Sequence, residues 1–218
     1  YRIIDFTLSN CLNSGLRQMA VLIQYKSHSL DRHIRTGWNI LNPELGEYIV
    51  SVPPQQRISE EWYRGTADAV YQNLFLLDND HLLIEKQADA VVGAIETPLA
   101  DANRFGVIAV DKDRRILSFD EKPEKPMHIP GDPTQAFVSM GIYLFRTDVV
   151  REQLIRDAKE GTKHDFGKNI IPRMIKEQRV YAFKFQDENK KAVKYWRDIG
   201  TLDAYWEANM DLVAVDPL

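Results

Sequence analysis

The sequence predicts an α/β protein built on a mixed, mostly parallel sheet, and three observations lead to this prediction. Strand-like and helix-like segments alternate along the chain, which is typical of a sheet covered by helices. Residues 19–23 form a continuous apolar run, as expected of a strand that is covered on both faces. No segment rich in Pro, Gly or Ser divides the chain, so we expect one domain over residues 1–218.

Helices are predicted where apolar residues recur at helical spacing. The first ends at the Asn-Ser-Gly string at 13–15, and Gly37 ends the second. Thr66 is placed to cap the third helix through its hydroxyl. From the second helix onward the expected segments are 26–35, 66–77, 149–159, 168–178 and 202–215.

Strands are predicted where short apolar or alternating runs lie between turn signals. The segment 181–185 alternates in the manner of an edge strand, and 111–113 is a turn between two strands. Ligands in open α/β sheets bind beyond the carboxyl ends of strands, so we expect functional residues directly after strands. The expected strands are 19–23, 90–95, 105–110, 115–119, 137–145 and 181–185.

Composition excludes several classes of protein. Hydrophobic residues make up 44% of the 218 residues and charged residues 28%, which excludes a disordered or collagen-like chain. The net charge of −4 gives no general attraction for nucleic acid or anionic lipid, and no apolar run is long enough to span a membrane. The single Cys11 cannot form an internal disulfide, which favours a reducing, cytoplasmic location.

The string WYRGTADA at 62–69 leads from a Gly directly into a helix with a small, polar first turn. Backbone N–H groups at such a helix start can bind a phosphate or the edge of a nucleobase. The alternative is an ordinary capped helix on the surface, and spacing alone favours that alternative.

The string FDEKP at 119–123 places Lys122 immediately after a strand and before a Pro. A lysine fixed in this way can meet an anionic substrate as a point charge. The alternative is a solvated turn with a Glu-Lys pair that contributes little.

The string YWRDIGT at 195–201 places Asp198 in a tight turn before a new helix. A carboxylate in such a turn is a reasonable Mg²⁺ ligand. The alternative is that Asp198 is the N-cap of the helix that begins near Thr201.

The string HDFGK at 164–168 contains the Asp-Phe-Gly triplet of protein kinases, but no Gly-rich loop or His-Arg-Asp loop accompanies it, and a kinase is rejected. The five histidines lack zinc-ligand spacing, and no nucleophile elbow is present.

Taken in order, these motifs and several others resemble the bacterial glucose-1-phosphate adenylyltransferases, also called ADP-glucose pyrophosphorylases. The resemblance covers nearly all of the chain. The strings that carry it are YRIIDF at 1–6, QYKSHSL at 24–30, WYRGTADAV at 62–70, FDEKP at 119–123, SMGIY at 139–143, HDFGK at 164–168, YWRDIGT at 195–201 and DAYWEAN at 203–209.

The resemblance implies that AMP is transferred from ATP to α-D-glucose 1-phosphate, which gives ADP-glucose and pyrophosphate for glycogen or α-glucan synthesis. It implies the Rossmann-like sheet of the nucleotide-sugar pyrophosphorylases, a Mg²⁺ cofactor, and a homotetramer that binds small-metabolite allosteric effectors. Catalysis then consists of positioning and charge neutralisation, without a covalent enzyme intermediate.

The resemblance also implies roles for individual residues. Lys122 and Asp198 are the catalytic residues, Asp198 as the metal ligand and Lys122 on the phosphate of glucose 1-phosphate. The other residues of the glucose 1-phosphate site are Tyr63, Gly106, Glu121, Ser139 and Asp165, and the nucleotide site contains Gln56, Gly65 and Thr66.

Three features of the resembling family are missing from this sequence. We expect its Gly-rich phosphate loop before Tyr1 and its left-handed β-helix after Leu218. An internal segment near residues 80/81, with a strand and a second metal-binding Asp, is also missing, so Asp80 is not assigned as a ligand. A smaller departure is Asn169, where the family usually has Asp.

Two alternatives to the leading function stay open. One is a catalytically silent regulatory subunit of the same family. The other is a related sugar-nucleotide pyrophosphorylase that uses UTP or dTTP, although the string at 62–68 disfavours it.

Overall fold

The structure is a computed structural model that describes residues 1–25, 27–54, 62–79, 88–185 and 195–213, without the side chains of residues 78 and 79. The described residues fall into two compact units. The first unit contains Tyr1–Val21, His28–Ser51 and the part of Gln186–Leu218 that is described. The second contains the described residues of Leu22–Ser27 and Val52–Phe185.

Helices and strands alternate through the described residues. The helices are α1 (Ile3–Asn13), α2 (His28–Gly37), α3 (Thr66–Gln72), α4 (Thr147–Ala158), α5 (Ile171–Glu177) and α6 (Leu202–Asp211). The strands are β1 (Gln18–Leu22), β2 (Tyr48–Val52), β3 (Ala90–Pro98), β4 (Gly106–Val110), β5 (Ile116–Glu121), β6 (Gln135–Phe145) and β7 (Val180–Lys184). Short 3-10 helices occur at Pro43–Leu45, Leu74–Asn79 and Ala102–Arg104, and a π-helical turn at Phe166–Ile170.

Most of the predicted elements are confirmed, and three differ. The predicted helix 66–77 is α-helical only to Gln72 and continues as the 3-10 helix Leu74–Asn79. The predicted helix 168–178 begins as the π-helical turn, and its α-helical part starts at Ile171. The predicted helix 202–215 ends at Asp211, and residues 214 and 215 lie outside the described residues. Strand β2, a run of only five residues, was not predicted.

Strands β1 and β2 form a separate two-stranded sheet. Among the residues of β1, Met19 is buried whereas Gln18 and Ala20 are exposed. The expectation of a strand covered on both faces is therefore wrong for the described structure. A run of five apolar residues cannot distinguish such a strand from one that buries a single face.

The main sheet has the strand order β5-β4-β6-β3-β7, so β7 is at an edge as predicted. Strands β3 and β7 are parallel, with Ala90 opposite Val180, whereas β3–β6, β4–β5 and β4–β6 are antiparallel. The mixed sheet is confirmed, but antiparallel pairs predominate in its described part. Strands β4 and β5 are joined by a tight turn in which Asp111 accepts a hydrogen bond from Arg115 N, and so short a connection requires antiparallel strands.

Helices α3, α4 and α5 pack with the π-helical turn against one face of this sheet. Alternate residues of β3 and β7 point into the core, as a strand's period of two requires. The core side chains include Ala90, Val92, Ile108, Ile116, Phe119, Leu154, Ile171, Met174 and Val180. This packing brings the turn after α4 close to the carboxyl end of β5.

A buried carboxylate holds the amino-terminal end of β3. Asp89 binds Arg146 Nη1 at 3.1 Å and Arg179 Nε at 3.2 Å, and it also accepts a bond from Arg179 N at 2.9 Å. Burial acts to raise the pKa of Asp89, but the hydrogen bonds from Arg179 and the charges of both arginines outweigh it, so this pKa lies below its ordinary value. Asp89 therefore ties together the starts of β3, α4 and β7.

Candidate functional site

Two distant loops of the second unit meet at Gly65. Its backbone is extended, and a Cβ at this position would lie 2.2 Å from His164 O and 2.4 Å from Lys163 O. Ala67 N donates to the same His164 carbonyl at 2.8 Å. The glycine is required here because the backbone of the 163–164 loop approaches so closely, and not because of its backbone angles.

Thr66 joins the two loops through its side chain. Its hydroxyl donates to Asp165 Oδ2 at 3.3 Å and accepts a bond from Phe166 N at 3.2 Å. The predicted capping role of Thr66 is wrong, because the N-cap of α3 is Gly65 and no side chain caps it. The predicted free N–H groups are also partly wrong, since Ala67 N is engaged by His164 O.

A buried carboxylate supports the 62–66 loop from inside. Asp68 is 3% exposed, and its Oδ2 accepts bonds from Arg64 N at 2.9 Å and Gln72 Nε2 at 3.1 Å. These bonds fix the approach of the loop to α3. The alternative of an ordinary surface helix is therefore wrong, since Ala67 and Asp68 of its first turn are buried.

Asp165 is held at both its carboxylate and its backbone. It is the N-cap of the π-helical turn, and its Oδ1 accepts a bond from Lys168 N at 3.0 Å. Asn169 Oδ1 accepts a bond from Asp165 N at 3.2 Å. Asn169, the departure from the family pattern, thus takes part in orienting a predicted site residue.

Glu121 lies between two glycines at the end of β5. Its Oε2 is 3.1 Å from the place that a Cβ would occupy at Gly106, and also 3.1 Å from that place at Gly167. A side chain at Gly106 would also meet Phe119 Cζ at 2.5 Å. Both glycines therefore leave room for the Glu121 carboxylate, which borders an open cleft with Pro123, Gly167, Lys168 and Pro172.

Ser139 and Tyr143 of β6 bring hydroxyl groups to the same region. Ser139 is 8% exposed, its Oγ donates to Tyr143 OH at 3.5 Å, and it accepts a bond from Gly141 N at 3.2 Å. Burial raises the pKa of the Tyr143 phenol, the bond from Ser139 opposes that rise, and the negative charges of Glu121 and Asp165 add to it. The two carboxylates lie close together, since Glu121 Oε2 is 3.1 Å and Asp165 Oδ1 is 3.5 Å from the place that a Cβ would occupy at Gly167.

Tyr143, Phe166 and Gly167 are site residues that the sequence analysis did not single out. The Tyr143 and Phe166 rings stack with centroids 5.9 Å apart, and Phe145 stacks on Phe166 at 5.5 Å. This stack supports the side of the site formed by β6 and the π-helical turn. A signal was present, because Tyr143 and Phe166 stand inside the strings SMGIY and HDFGK.

Lys122 directly follows Glu121 and has a left-handed backbone, with φ of 51°. Its N–H donates to Phe105 O at 3.0 Å, which fixes the turn, while its side chain is exposed. Such a backbone is unfavourable for a residue with a Cβ.

Tyr63 lies in the 62–66 loop, two residues before Gly65. Its hydroxyl accepts a bond from Asn73 Nδ2 at 2.9 Å, and Asn73 is 2% exposed. Asn73 Nδ2 also donates to Ala69 O, and its buried Oδ1 has no partner in the described structure. The predicted nucleotide-site residue Gln56 lies outside the described residues, as does Asp80, which is not assigned to the site.

Asp198 belongs to the first unit, where it is exposed. The alternative that it caps α6 is wrong, because the N-cap is Thr201, whose Oγ1 accepts a bond from Ala204 N at 3.2 Å. No group of three or more potential metal ligands occurs within the residues that the structure describes. One exposed carboxylate nevertheless fits Mg²⁺, which proteins often hold by one or two carboxylates together with substrate phosphates.

The second unit brings together Gly65, Thr66 and Asp165 at one contact. It also places Glu121 beside Gly106, and Ser139 beside Tyr143. Lys122 and Tyr63 border this cluster in sequence, and Asp198 is described only within its own unit. Within the described residues, no helix is both long and apolar enough to cross a membrane.

Known proteins resemble this chain along its whole length. A glucose-1-phosphate adenylyltransferase of Methylococcus capsulatus is 49% identical over 240 residues, which include all of this chain and 57% of the relative. Proteins of the same name from Rhodopirellula baltica and Vibrio vulnificus are 51% and 48% identical over 241 and 242 residues, and the match covers 54% and 60% of them. The chain thus spans little more than half the length of these relatives, and its resemblance to glucose-1-phosphate adenylyltransferases is confirmed.

The family model described as nucleotidyl transferase matches residues 1–84 and 81–214. Its two matched parts meet close to residues 80/81, where an internal segment is expected to be missing. Together they cover nearly the whole chain, and the model's description agrees with the names of the relatives. The chain belongs to the nucleotidyl transferase family.

Proposed function

We propose that this protein transfers AMP from ATP to α-D-glucose 1-phosphate, which gives ADP-glucose and pyrophosphate for α-glucan synthesis. The observation that carries the proposal is the cluster of Glu121, Ser139, Tyr143 and Asp165. Two carboxylates and two hydroxyls in this part of the second unit suit a ligand rich in hydroxyl groups, and Glu121 borders the open cleft. The names of relatives at 48–51% identity support the same substrate class.

In this proposal the sugar hydroxyls donate to the carboxylates of Glu121 and Asp165, and Ser139 completes the sugar pocket with the backbone at Gly106. The Asp165 carboxylate is already held by Thr66 and Lys168 N before the substrate arrives, which reduces the entropy lost on binding. The exposed ammonium of Lys122 meets the phosphate at the mouth of the cleft, where a charge-assisted contact is favourable. Tyr63 is expected to contact the same substrate.

The nucleotide is expected at the Gly65–Thr66 turn and at Gln56. A phosphate oxygen of the sugar phosphate attacks the α-phosphorus of ATP in line, and the bond to the β-phosphate oxygen breaks as pyrophosphate leaves. Asp198 is the residue that we expect to hold Mg²⁺, which when bound would neutralise charge on the triphosphate. The residues of the sugar and nucleotide sites would position the two substrates.

A homotetramer with small-metabolite effectors and a cytoplasmic location are further parts of this proposal. They rest on the family resemblance and on the presence of one cysteine among 218 residues. The missing internal segment near residues 80/81 stays a prediction, and alignments of 240 residues or more against a 218-residue chain agree with an internal gap.

Pyrophosphate release tests the function directly. The purified protein is incubated with Mg²⁺, glucose 1-phosphate and either ATP, UTP or dTTP, and pyrophosphate is measured by a coupled assay. The proposal expects release that depends on both ATP and glucose 1-phosphate. Equal rates with UTP or dTTP would indicate the related pyrophosphorylase instead, and binding of glucose 1-phosphate without release would indicate the silent subunit.

A further inference from the structure

Asp157 and His164 form a buried couple that the proposed function does not use. His164 Nδ1 is 2.8 Å from Asp157 Oδ2, and the two side chains are 3% and 2% exposed. Buried polar side chains are costly unless they are hydrogen-bonded, so this contact is a fixed part of the region. His164 is the residue immediately before Asp165.

Further contacts hold the couple in place. Thr162 Oγ1 donates to Asp157 Oδ1 at 2.9 Å, and His164 N donates to Thr162 Oγ1 at 3.0 Å. Arg173 Nη2 lies 3.9 Å from Asp157 Oδ1, and Arg173 Nε donates to Gln153 Oε1 at 2.7 Å. Helices α4 and α5 therefore both contribute to holding the ring of His164.

The backbone at His164 explains what the couple holds. Its φ of 51° is left-handed, a backbone conformation that is unfavourable for a residue with a Cβ. This turn directs the His164 carbonyl toward Gly65 and Ala67, and it brings the next residue, Asp165, within reach of Thr66. A contact that anchors the ring therefore stabilises the turn on which both halves of the site depend.

We propose that Asp157 and His164 are positioning residues for the glucose 1-phosphate site: their buried contact holds the left-handed turn at His164, and that turn orients Asp165 against Thr66. The proposal rests on the proposed function for its substrate. Neither residue touches the substrate. Their effect reaches it through the Asp165 carboxylate, and loss of the contact lets Asp165 leave its productive position.

Two variants test the couple, one that conserves the shape of the side chain and one that removes the ring. Asp157→Asn keeps the size of the side chain and removes its charge, whereas His164→Gly removes the ring and tolerates the left-handed backbone. We expect each to raise the KM for glucose 1-phosphate by about tenfold and to change the KM for ATP less than about twofold. The matched control is Arg156→Gln, which removes an exposed ion pair with Glu177 from the same helix and should change neither constant.

Hydrogen exchange gives a readout that is independent of turnover. Since Ala67 N donates to His164 O, both variants should speed exchange of the Ala67 amide, while amides of β3 keep the wild-type rate. Faster exchange at Ala67 together with the selective rise in KM supports the proposal. Unchanged KM values, an equal rise for both substrates, or unchanged exchange at Ala67 would overturn it.

The wild-type protein separates the two proposals. Wild-type turnover with unchanged KM values in both variants would overturn only the positioning role. If the wild type released no pyrophosphate with ATP, UTP or dTTP, the proposed function would be overturned. The role of the couple in positioning the glucose 1-phosphate site would then be overturned as well.

Discussion

Thr66 donates a hydrogen bond to the carboxylate of Asp165 over 3.3 Å, although 99 positions separate the two residues in the chain. Phe166 N returns a bond to the same threonine hydroxyl at 3.2 Å. The loop before α3 and the turn after α4 are thereby fixed to each other. Substitutions at this contact should affect the loop and the turn together.

Replacement of Gly65 by Ala should destabilise the protein. The new Cβ would lie 2.2 Å from a backbone carbonyl that cannot move away alone, and overpacking of this kind costs about 1–3 kcal/mol. Urea unfolding followed by circular dichroism measures the change. Gly161→Ala is the matched control, because no atom lies within 4 Å of the new methyl group, and an equal loss in both variants would contradict the close approach at Gly65.

Much of the fold was predictable, because strand and helix periods are local properties of the sequence. The contact of Thr66 with Asp165 was not, since a Thr before a helix satisfies capping rules whatever lies opposite it. Its hydroxyl turned to Asp165 only because Gly65 lets the 163–164 backbone approach. The predominance of antiparallel strand pairs was not predicted for the same reason. The position of β6 between β3 and β4 depends on contacts between residues that are distant in the sequence.

The candidate site shows the same division. Glu121 and Lys122 could be singled out because a charged pair directly after a strand is visible in the sequence. Tyr143 could not, because an aromatic residue at the end of an apolar strand looks like a core residue. Only the structure places its hydroxyl beside Ser139, under the influence of the Glu121 and Asp165 charges.

Removal of the Lys122 charge should selectively weaken the binding of glucose 1-phosphate. Hydrogen bonds to charged groups contribute about 1.5–3 kcal/mol, so Lys122→Ala should raise the KM for glucose 1-phosphate roughly tenfold to a hundredfold and leave that for ATP nearly unchanged. Steady-state kinetics with each substrate varied in turn measures this. The control is Lys125→Ala, an exposed lysine on the same loop, and an unchanged KM in the Lys122 variant would remove Lys122 from the site.

Truncation of the Tyr143 hydroxyl should change binding more than folding. Tyr143→Phe keeps the stack on Phe166 and leaves Ser139 its bond from Gly141 N, so stability should fall by no more than about 1 kcal/mol. We expect the KM for glucose 1-phosphate to rise by about tenfold, as for a lost hydrogen bond to the ligand. Tyr181→Phe on the edge strand β7 is the control, and equal kinetics in the two variants would exclude Tyr143 from the sugar site.

The arginine clamp on Asp89, which Arg146 and Arg179 form, should make the free energy of unfolding depend on pH in the acid range. Because the pKa of folded Asp89 is lowered, its stabilisation is complete well above the ordinary pKa of about 3.9 and is lost as pH falls through the lowered value. Urea midpoints measured from pH 7 down to pH 3 should therefore fall less steeply for Asp89→Asn than for the wild type. The exposed Asp113→Asn should keep the wild-type slope, and a wild-type slope in the Asp89 variant would show that the clamp is not responsible.

Replacement of Asp198 should change the Mg²⁺ requirement of the reaction without changing the stability of the protein. Since Thr201 and not Asp198 caps α6, Asp198→Asn should leave the urea midpoint unchanged, while the Mg²⁺ concentration for half-maximal pyrophosphate release rises by about tenfold. Thr201→Ala should show the reverse, with a loss of about 1 kcal/mol in stability and an unaltered Mg²⁺ requirement. Titration of Mg²⁺ at saturating ATP and glucose 1-phosphate, with unfolding measured on the same preparations, distinguishes the two residues. A lowered midpoint with an unaltered Mg²⁺ requirement in the Asp198 variant would assign this carboxylate to the helix start instead of the metal.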